Sequence, residues 1–200
     1  MPTDTYTISA GADDAVEPTS GSGVRGSGAV ITNADFIFMD NDGDLGAWVF
    51  RGVAVPTTAV IDQARFGLKV GGFGGDDANH RFTIGRTLTP NAPGTTAPST
   101  YTPTTAVADW VEASLNAAEA NEYDYLTVTS VVAEWAALPG RTGDPTDLLA
   151  MLETLSTSVL NGRSYERNGV GAADAAVLEI TWHVETPDPG NPTYQMSSVG

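Results

Sequence analysis

Apolar residues in this chain come in short runs of β-branched and aromatic side chains, broken by glycine, proline, asparagine or aspartate. The clearest run, Ala176–Glu185, alternates apolar with polar residues and places Leu178, Ile180, Trp182 and Val184 on one face. Runs with a period of two residues are typical of strands that bury one face. The pattern therefore predicts an all-β protein, built as an antiparallel β-sandwich around one core.

Six further segments have a similar composition, rich in β-branched and aromatic residues, and are predicted to be strands. They are Thr3–Ile8, Ala29–Met39, Ala47–Val55, Ala59–Val70, Arg81–Leu88 and Thr104–Val111. Gly11–Gly28 is rich in glycine, serine and acidic residues, so we expect residues 10–28 to be largely loop. Thr89–Pro103 contains four prolines, which predicts a connection rather than a core strand.

The chain length suits one large domain, and we assign residues 1–185 to a single sandwich. Thr186–Gly200 contains three prolines and lacks an apolar pattern of its own. We expect this segment to form an extended C-terminal arm that becomes ordered only against a neighbouring subunit.

One short helix is predicted at Val131–Ala137, with Thr129 or Ser130 as the capping residue and Pro139-Gly140 as the stop signal. The segment Thr146–Ser156 fits two structures. Its leucines follow helical spacing, which periodicity slightly favours, but Leu148, Ala150 and Leu152 also fit one face of a strand. The residues alone leave this choice open.

The charge of the chain restricts its partners. There are 25 acidic and 9 basic residues, giving a formal net charge of −16, and Lys69 is the only lysine. Nucleic-acid binding and adsorption to anionic membranes both need clustered cations, and the arginines are scattered. We therefore expect neither nucleic acid nor membrane as a partner, and we expect repulsion between copies that assembly must overcome.

Motifs for catalysis are missing from the sequence. There is no cysteine, no His-x-x-x-His pair and no Gly-x-Ser-x-Gly elbow. The two histidines are His80, expected in a glycine-rich loop, and His183, expected on the polar face of the last strand. These observations predict a protein that is not an enzyme and has no cofactor, calcium being the one candidate ion.

Alternating acids supply the calcium candidate. Asp40, Asp42 and Asp44 follow one another at every second position of a turn, and carboxylates converging in a tight loop can hold a hard cation. The glycine and glutamate of a helix–loop–helix calcium site are missing, so we favour a solvated acidic turn. The acids at Asp13, Asp14 and Glu17, and those at Asp76 and Asp77, are likewise predicted to lie in solvated loops.

Tryptophan supplies the carbohydrate candidate. An exposed indole can stack on a sugar ring, and Trp110, next to a predicted loop, is the best candidate for exposure. Trp48, Trp135 and Trp182 lie in apolar patterns and are expected in the core.

An ordered set of segments resembles a known family. The set begins with Gly11–Glu17 and Gly46–Phe66, the latter read as two core strands joined as a hairpin at Pro56. It continues with Val107–Trp110, Thr129–Gly140 and a final strand after residues 172–173. Over roughly residues 11 to 185 this order resembles a jelly-roll module of structural proteins from tailed bacteriophages, especially those of actinobacteria. It is also similar to the DNRLRE domains of secreted bacterial proteins.

The resemblance implies a jelly-roll-like sandwich with one short helix, and it implies a strand rather than a helix at Thr146–Ser156. It also implies a virion protein without catalysis, whose partners are other virion proteins and copies of itself. A minor tail or tail-tip component is the first expectation, and a capsid decoration protein the second. A carbohydrate-binding module that contacts a host-surface glycan is the third.

Overall fold

The computed structural model of this chain supports a description of most of its length. The described residues are 1–20, 24–25, 36–39, 43–73, 79–93, 95–111, 123–142, 145–155, 160–163 and 173–185. The predicted arm at residues 186–200 lies outside this set, as does most of the predicted strand Ala29–Met39.

Thirteen strands and one helix form the described part of the chain. The strands are β1 (Thr3–Thr7), β2 (Asp14–Glu17), β3 (Thr19–Ser20), β4 (Val24–Arg25), β5 (Phe36–Met39), β6 (Leu45–Val53), β7 (Ala59–Phe73), β8 (Asn79–Ile84), β9 (Ala108–Val111), β10 (Tyr123–Thr127), β11 (Thr146–Thr154), β12 (Leu160–Arg163) and β13 (Val177–Val184). The helix α1 spans Thr129–Ala136, and two single turns of 3-10 helix lie at Gly11–Asp13 and Pro98–Thr100. The all-β prediction is confirmed.

The strands form two main antiparallel sheets. The six-stranded sheet has the order β1-β13-β7-β12-β5, with β10 also paired to β7. The five-stranded sheet has the order β2-β6-β11-β8-β9, and β3 and β4 form a separate ribbon. The long strand β7 organises the first sheet, because β13, β10 and β12 pair with successive parts of it.

The pairing corrects one expectation about the Pro56 turn. Ala47–Val55 and Ala59–Val70 were predicted to form a hairpin, but β6 belongs to the five-stranded sheet and β7 to the six-stranded sheet. The chain turns after Pro56, whose carbonyl accepts a hydrogen bond from the Ala59 amide at 3.1 Å. The turn thus carries the chain from one layer to the other, where the two apolar strands face each other across the core.

The segment that fitted both helix and strand is strand β11. It pairs with β6 on one side and β8 on the other, at the centre of its sheet. Leu148, Ala150 and Leu152 point into the core between the sheets, while Leu149 and Met151 pack in a second apolar cluster on the opposite face. Both faces are buried, so apolar residues occur at nearly every position and period-two alternation is hidden.

Helix α1 begins differently from the prediction. Its N-cap residue is Val128, and no side chain caps the helix. The Thr129 hydroxyl instead accepts a hydrogen bond from the Ala64 amide at 3.0 Å, and the Val128 amide donates to the Ala64 carbonyl at 2.8 Å. The helix therefore continues directly from the β10–β7 pairing. No helix in the described part of the chain is long and apolar enough to cross a membrane.

Five strands were not predicted, of which β3 and β4 are the short ribbon within the segment expected to be loop. Asp14–Glu17 falls within the segment expected to be loop, yet it is the fully buried strand β2, paired with β6. Tyr123–Thr127 and Leu160–Arg163 both pair with β7, although neither has a long apolar run. Pairing with an established strand therefore decides the structure of these short polar segments more strongly than their own composition does.

Candidate functional site

Trp110, the carbohydrate candidate, is fully buried, so the prediction of an exposed ring at this position is wrong. Its indole lies edge-on to Phe66, with the ring centroids 6.2 Å apart. Trp48 and Trp135 are also fully buried, as predicted. Trp182 is half-buried, and its Nε1–H donates to Asp4 Oδ2 at 3.0 Å. Stacking on a sugar needs a free ring face, which Trp110 lacks.

The calcium candidate is only partly described. Asp40 and Asp42 lie outside the described residues, whereas Asp44 is buried, contrary to the expected solvated turn. Its Oδ1 accepts hydrogen bonds from the amide and the hydroxyl of Thr19, at 2.6 Å and 2.9 Å. Among the described residues, no group of three or more carboxylate or histidine side chains could hold a metal ion.

The acids near the N-terminus correct a second expectation. Asp13, Asp14 and Glu17 were predicted to be solvated, but each is at most 5% exposed. Glu17 accepts hydrogen bonds from the amide and hydroxyl of Ser99, at 2.9 Å and 2.6 Å. These contacts tie β2 to the proline-rich segment that crosses the outer face of the five-stranded sheet.

Arg51 joins Asp13 to Asp147, an acid of β11, in one network. Its Nε donates to Asp13 Oδ1 at 2.9 Å, and its Nη1 donates to Asp147 Oδ2 at 2.7 Å. Asp147 Oδ1 accepts a further bond from the Gly52 amide at 2.9 Å. The two carboxylates raise the pKa of Arg51, chiefly through the hydrogen bond to Asp13. The network connects the start of β2, the end of β6 and the start of β11.

Replacing Arg51 tests this network. We expect Arg51→Met to lower the free energy of unfolding by about 2 kcal/mol, because Asp13 stays buried without its charged donor. Urea unfolding monitored by tryptophan fluorescence measures the change. Arg81→Met is the matched control, since Arg81 and Asp109 form an exposed pair that should contribute less than about 1 kcal/mol. Equal losses in the two variants would contradict the structural role of Arg51.

The two histidines differ in environment. His183 lies on the polar face, as predicted, with Nδ1 at 2.9 Å from an Asp62 carboxylate oxygen. His80 was expected in a loop but lies in β8, fully buried, with no hydrogen-bond partner for either ring nitrogen. Burial lowers the pKa of His80 to about 4, so the ring is neutral at pH 7. The alternation of His80, Phe82 and Ile84 is the sequence signal that could have placed it inside.

Two depressions lie on the described surface. The first, of about 220 Å³, is on the outer face of the five-stranded sheet beside the proline-rich segment. The second, of about 310 Å³, lies beyond the C-terminal end of α1 and is named here the Arg141 cavity. The Arg141 cavity is lined by Leu88, Thr89, Gly140, Arg141, Thr142, Pro145, Thr146 and Asp147.

Arg141 is the charged residue that shapes this cavity. Its guanidinium stacks on the Trp135 ring at 4.2 Å and donates to the carbonyls of Ala136, at 2.9 Å, and Val55, at 2.6 Å. Gly140, with φ +90°, turns the chain after the helix and brings Arg141 back against it. Burial lowers the pKa of Arg141, and its Nε has no hydrogen-bond partner. Sequence reasoning did not single out this residue, because its partners are backbone carbonyls.

A scan against protein-family models and a search of curated proteins each returned no match to this chain.

Proposed function

We propose that the protein is a non-enzymatic structural protein of a tailed-bacteriophage particle, present in many copies as a minor tail or tail-tip component. The resemblance over residues 11–185 supports this role, and the two-sheet sandwich is compatible with it. The observation that carries the proposal is that ionisable residues pair with one another to hold the framework together. Asp13 with Arg51, and Asp174 with Lys69, form partly buried pairs that tie strands β6 and β7 to turns elsewhere in the chain.

The sheet edges offer surfaces for contacts between copies. In the described part of the chain, β1 is an edge strand of the six-stranded sheet, and Thr3, Thr5 and Thr7 are exposed along it. A strand at a sheet edge presents backbone groups that can pair with another chain. Hydrogen bonds of this kind would help copies of an acidic protein to assemble despite their like charge.

Location in the particle tests the proposal directly. Mass spectrometry of purified virions should detect the protein at many copies per particle, and immunogold labelling should place it on the tail. Labelling on the head would instead favour the alternative of a capsid decoration protein. Absence of the protein from the particle would overturn both.

Deletion of residues 186–200 tests how the copies assemble. We expect the truncated protein to keep the thermal midpoint of the full chain, because the described core ends at β13. We also expect its oligomers to dissociate at least tenfold more readily, as measured by light scattering coupled to size-exclusion chromatography. Unfolding of the truncated domain would contradict the assignment of this segment as an assembly arm.

A carbohydrate-binding module is the second candidate. Burial of Trp110 removes the aromatic platform on which that hypothesis first rested. The Arg141 cavity is the observation that favours this candidate. Its lining includes Arg141, Asp147 and three threonines together with the apolar side chains of Leu88 and Pro145. Groups of this kind are the polar contacts that orient small ligands in protein pockets.

A further inference from the structure

The free edge of β1 is built from alternating threonines. β1 pairs with β13 along its whole length and without a break in register. On its other side, no strand of the described part of the chain pairs with it. Thr3, Thr5 and Thr7 are exposed, whereas Asp4 and Tyr6 between them are half-buried. The edge is therefore accessible to another chain over the full strand.

The backbone of β1 directs its threonines at this free edge. The Ile8 amide donates to the Ala176 carbonyl at 3.4 Å, at one end of the β1–β13 pairing. At the other end the Trp182 amide donates to the Pro2 carbonyl at 3.3 Å. In an antiparallel pair, residues bonded to the partner strand alternate with residues whose amide and carbonyl point away from it. The even-numbered residues of β1 therefore bond to β13, and the amides and carbonyls of the three threonines point to the free edge.

Most features that protect a sheet edge from pairing are missing from β1. Natural edges are commonly protected by proline, lysine, a bulge or a covering loop. No proline or cation occurs from Thr3 to Thr7, and the register with β13 contains no bulge. The one charge, on Asp4, lies on the same face as Tyr6 and accepts a hydrogen bond from Trp182 Nε1 at 3.0 Å. The strand has only five residues, so a single pairing is a small contact that gains strength in an assembly of many copies.

The sequence of β1 is complementary to itself in one antiparallel register. Two copies can pair with Thr5 of each opposite Thr5 of the other. Thr3 then faces Thr7 of the second copy, and Asp4 faces Tyr6, so no like charges meet. All backbone groups that point to the free edge find partners in this register, in about six hydrogen bonds. A register centred on Asp4 makes about four and opposes two carboxylates, which is destabilising.

We propose that β1 pairs with β1 of a second copy of this chain, about a twofold axis at Thr5. The pairing joins the two six-stranded sheets into one continuous sheet and covers the free edge of both copies. The twofold axis makes the interface isologous, so every contact away from the axis occurs twice. The inference rests on the proposed function only in requiring contacts between copies, and it assigns one of these contacts to a surface and a register.

Cysteine cross-linking of the full-length protein tests the register, because the chain has no cysteine of its own. Opposite residues of a hydrogen-bonded antiparallel pair have Cα atoms about 5.5 Å apart, which a disulfide can span. We expect Thr5→Cys alone to form a disulfide-linked dimer under mild oxidation. Thr3→Cys and Thr7→Cys should give at least fivefold more cross-linked dimer when mixed than either gives alone, as measured by non-reducing gel electrophoresis. Equal yields from the mixture and from the separate variants would overturn the register.

Sedimentation velocity of the full-length protein tests whether the pairing forms without a cross-link. We expect association to strengthen at least threefold between about 50 mM and about 500 mM NaCl, because salt screens the repulsion between two chains of net charge −16. Thr5→Pro removes an amide donor that β13 does not use and should weaken association at least tenfold. Thr5→Ala, the matched control, keeps that amide and should stay within threefold of the original protein.

Two results of the sedimentation experiment would overturn the pairing. One is a chain that stays monomeric at every salt concentration, and the other is equal association of Thr5→Pro and Thr5→Ala. Neither result decides whether the protein is part of a virion, which mass spectrometry of the particle tests separately.

Discussion

Acidification from pH 7 to pH 4 should lower the free energy of unfolding by about 3 kcal/mol through His80 alone. Burial lowers the pKa of this side chain from 6.5 to about 4, and each pH unit between these values is worth about 1.4 kcal/mol. Below pH 6.5 the unfolded chain binds a proton at His80 that the folded protein does not accept. The contribution is therefore complete above pH 6.5 and is lost as the pH falls towards 4.

Among the described residues that pair with His80 in the sheet, none offers a charge that would offset this loss. Its register neighbours are Thr154 on β11 and Trp110 on β9, and neither is charged. Arg81, the next residue on β8, points to the other face and pairs with Asp109. A protonated ring would bury two N–H donors, and neither ring nitrogen has a hydrogen-bond partner in the structure.

Two substitutions separate this effect from general acid unfolding. His80→Leu should flatten the dependence of unfolding free energy on pH between 6.5 and 5, and it should leave the protein at least as stable at pH 7. Val60→Ala, which removes an exposed side chain without changing any titratable group, should keep the slope of the original protein. Urea unfolding at a series of pH values measures both. An unchanged slope in His80→Leu would show that another group titrates.

The sequence predicted those strands that bury one face. In β13, Leu178 and Ile180 are buried as the alternation required, whereas Val184, predicted on the same buried face, is 48% exposed beyond the register shift at Thr181 and Trp182. The boundaries of β1, β6 and β7 differ from prediction by no more than three residues at each end. Strand β11 was ambiguous because its two faces contact different apolar clusters. Helical and strand periodicities cannot be separated when nearly every residue is apolar.

The residues of the Arg51 network and of the Arg141 cavity were harder to predict, because their contacts join segments that are distant in the sequence. Arg51 lies 38 residues from Asp13 and 96 residues from Asp147 in the sequence, and nothing local marks the three as a set. Acidic residues followed by a glycine-rich sequence indicate a solvated loop. Asp14 is nevertheless buried, because its strand pairs with β6, and this pairing has no signal in the local sequence. Arg141 looks like an ordinary loop residue until the fold places it against the end of α1.

The loss of the Phe66 ring should be among the most destabilising single changes in this protein. Phe66 lies on β7 of the six-stranded sheet, and four aromatic rings of the opposite sheet surround it. Its ring centroid is 5.1 Å from that of Trp48, 6.3 Å from Phe50, 4.9 Å from Phe82 and 6.2 Å from Trp110. One side chain thus contacts β6, β8 and β9 together, which is also why Trp110 is unavailable at the surface.

We expect Phe66→Ala to lower the free energy of unfolding by about 3–5 kcal/mol, because it leaves a cavity between two sheets whose strands cannot move together without breaking their pairing. Phe66→Leu keeps much of the volume and should cost about half as much or less. Val60→Ala is the control on the same strand, at a 40% exposed position, and should change stability by no more than about 0.5 kcal/mol. Urea unfolding at pH 7 measures all three. A loss below about 1 kcal/mol in Phe66→Ala would mean that the two sheets do not depend on this contact for their packing.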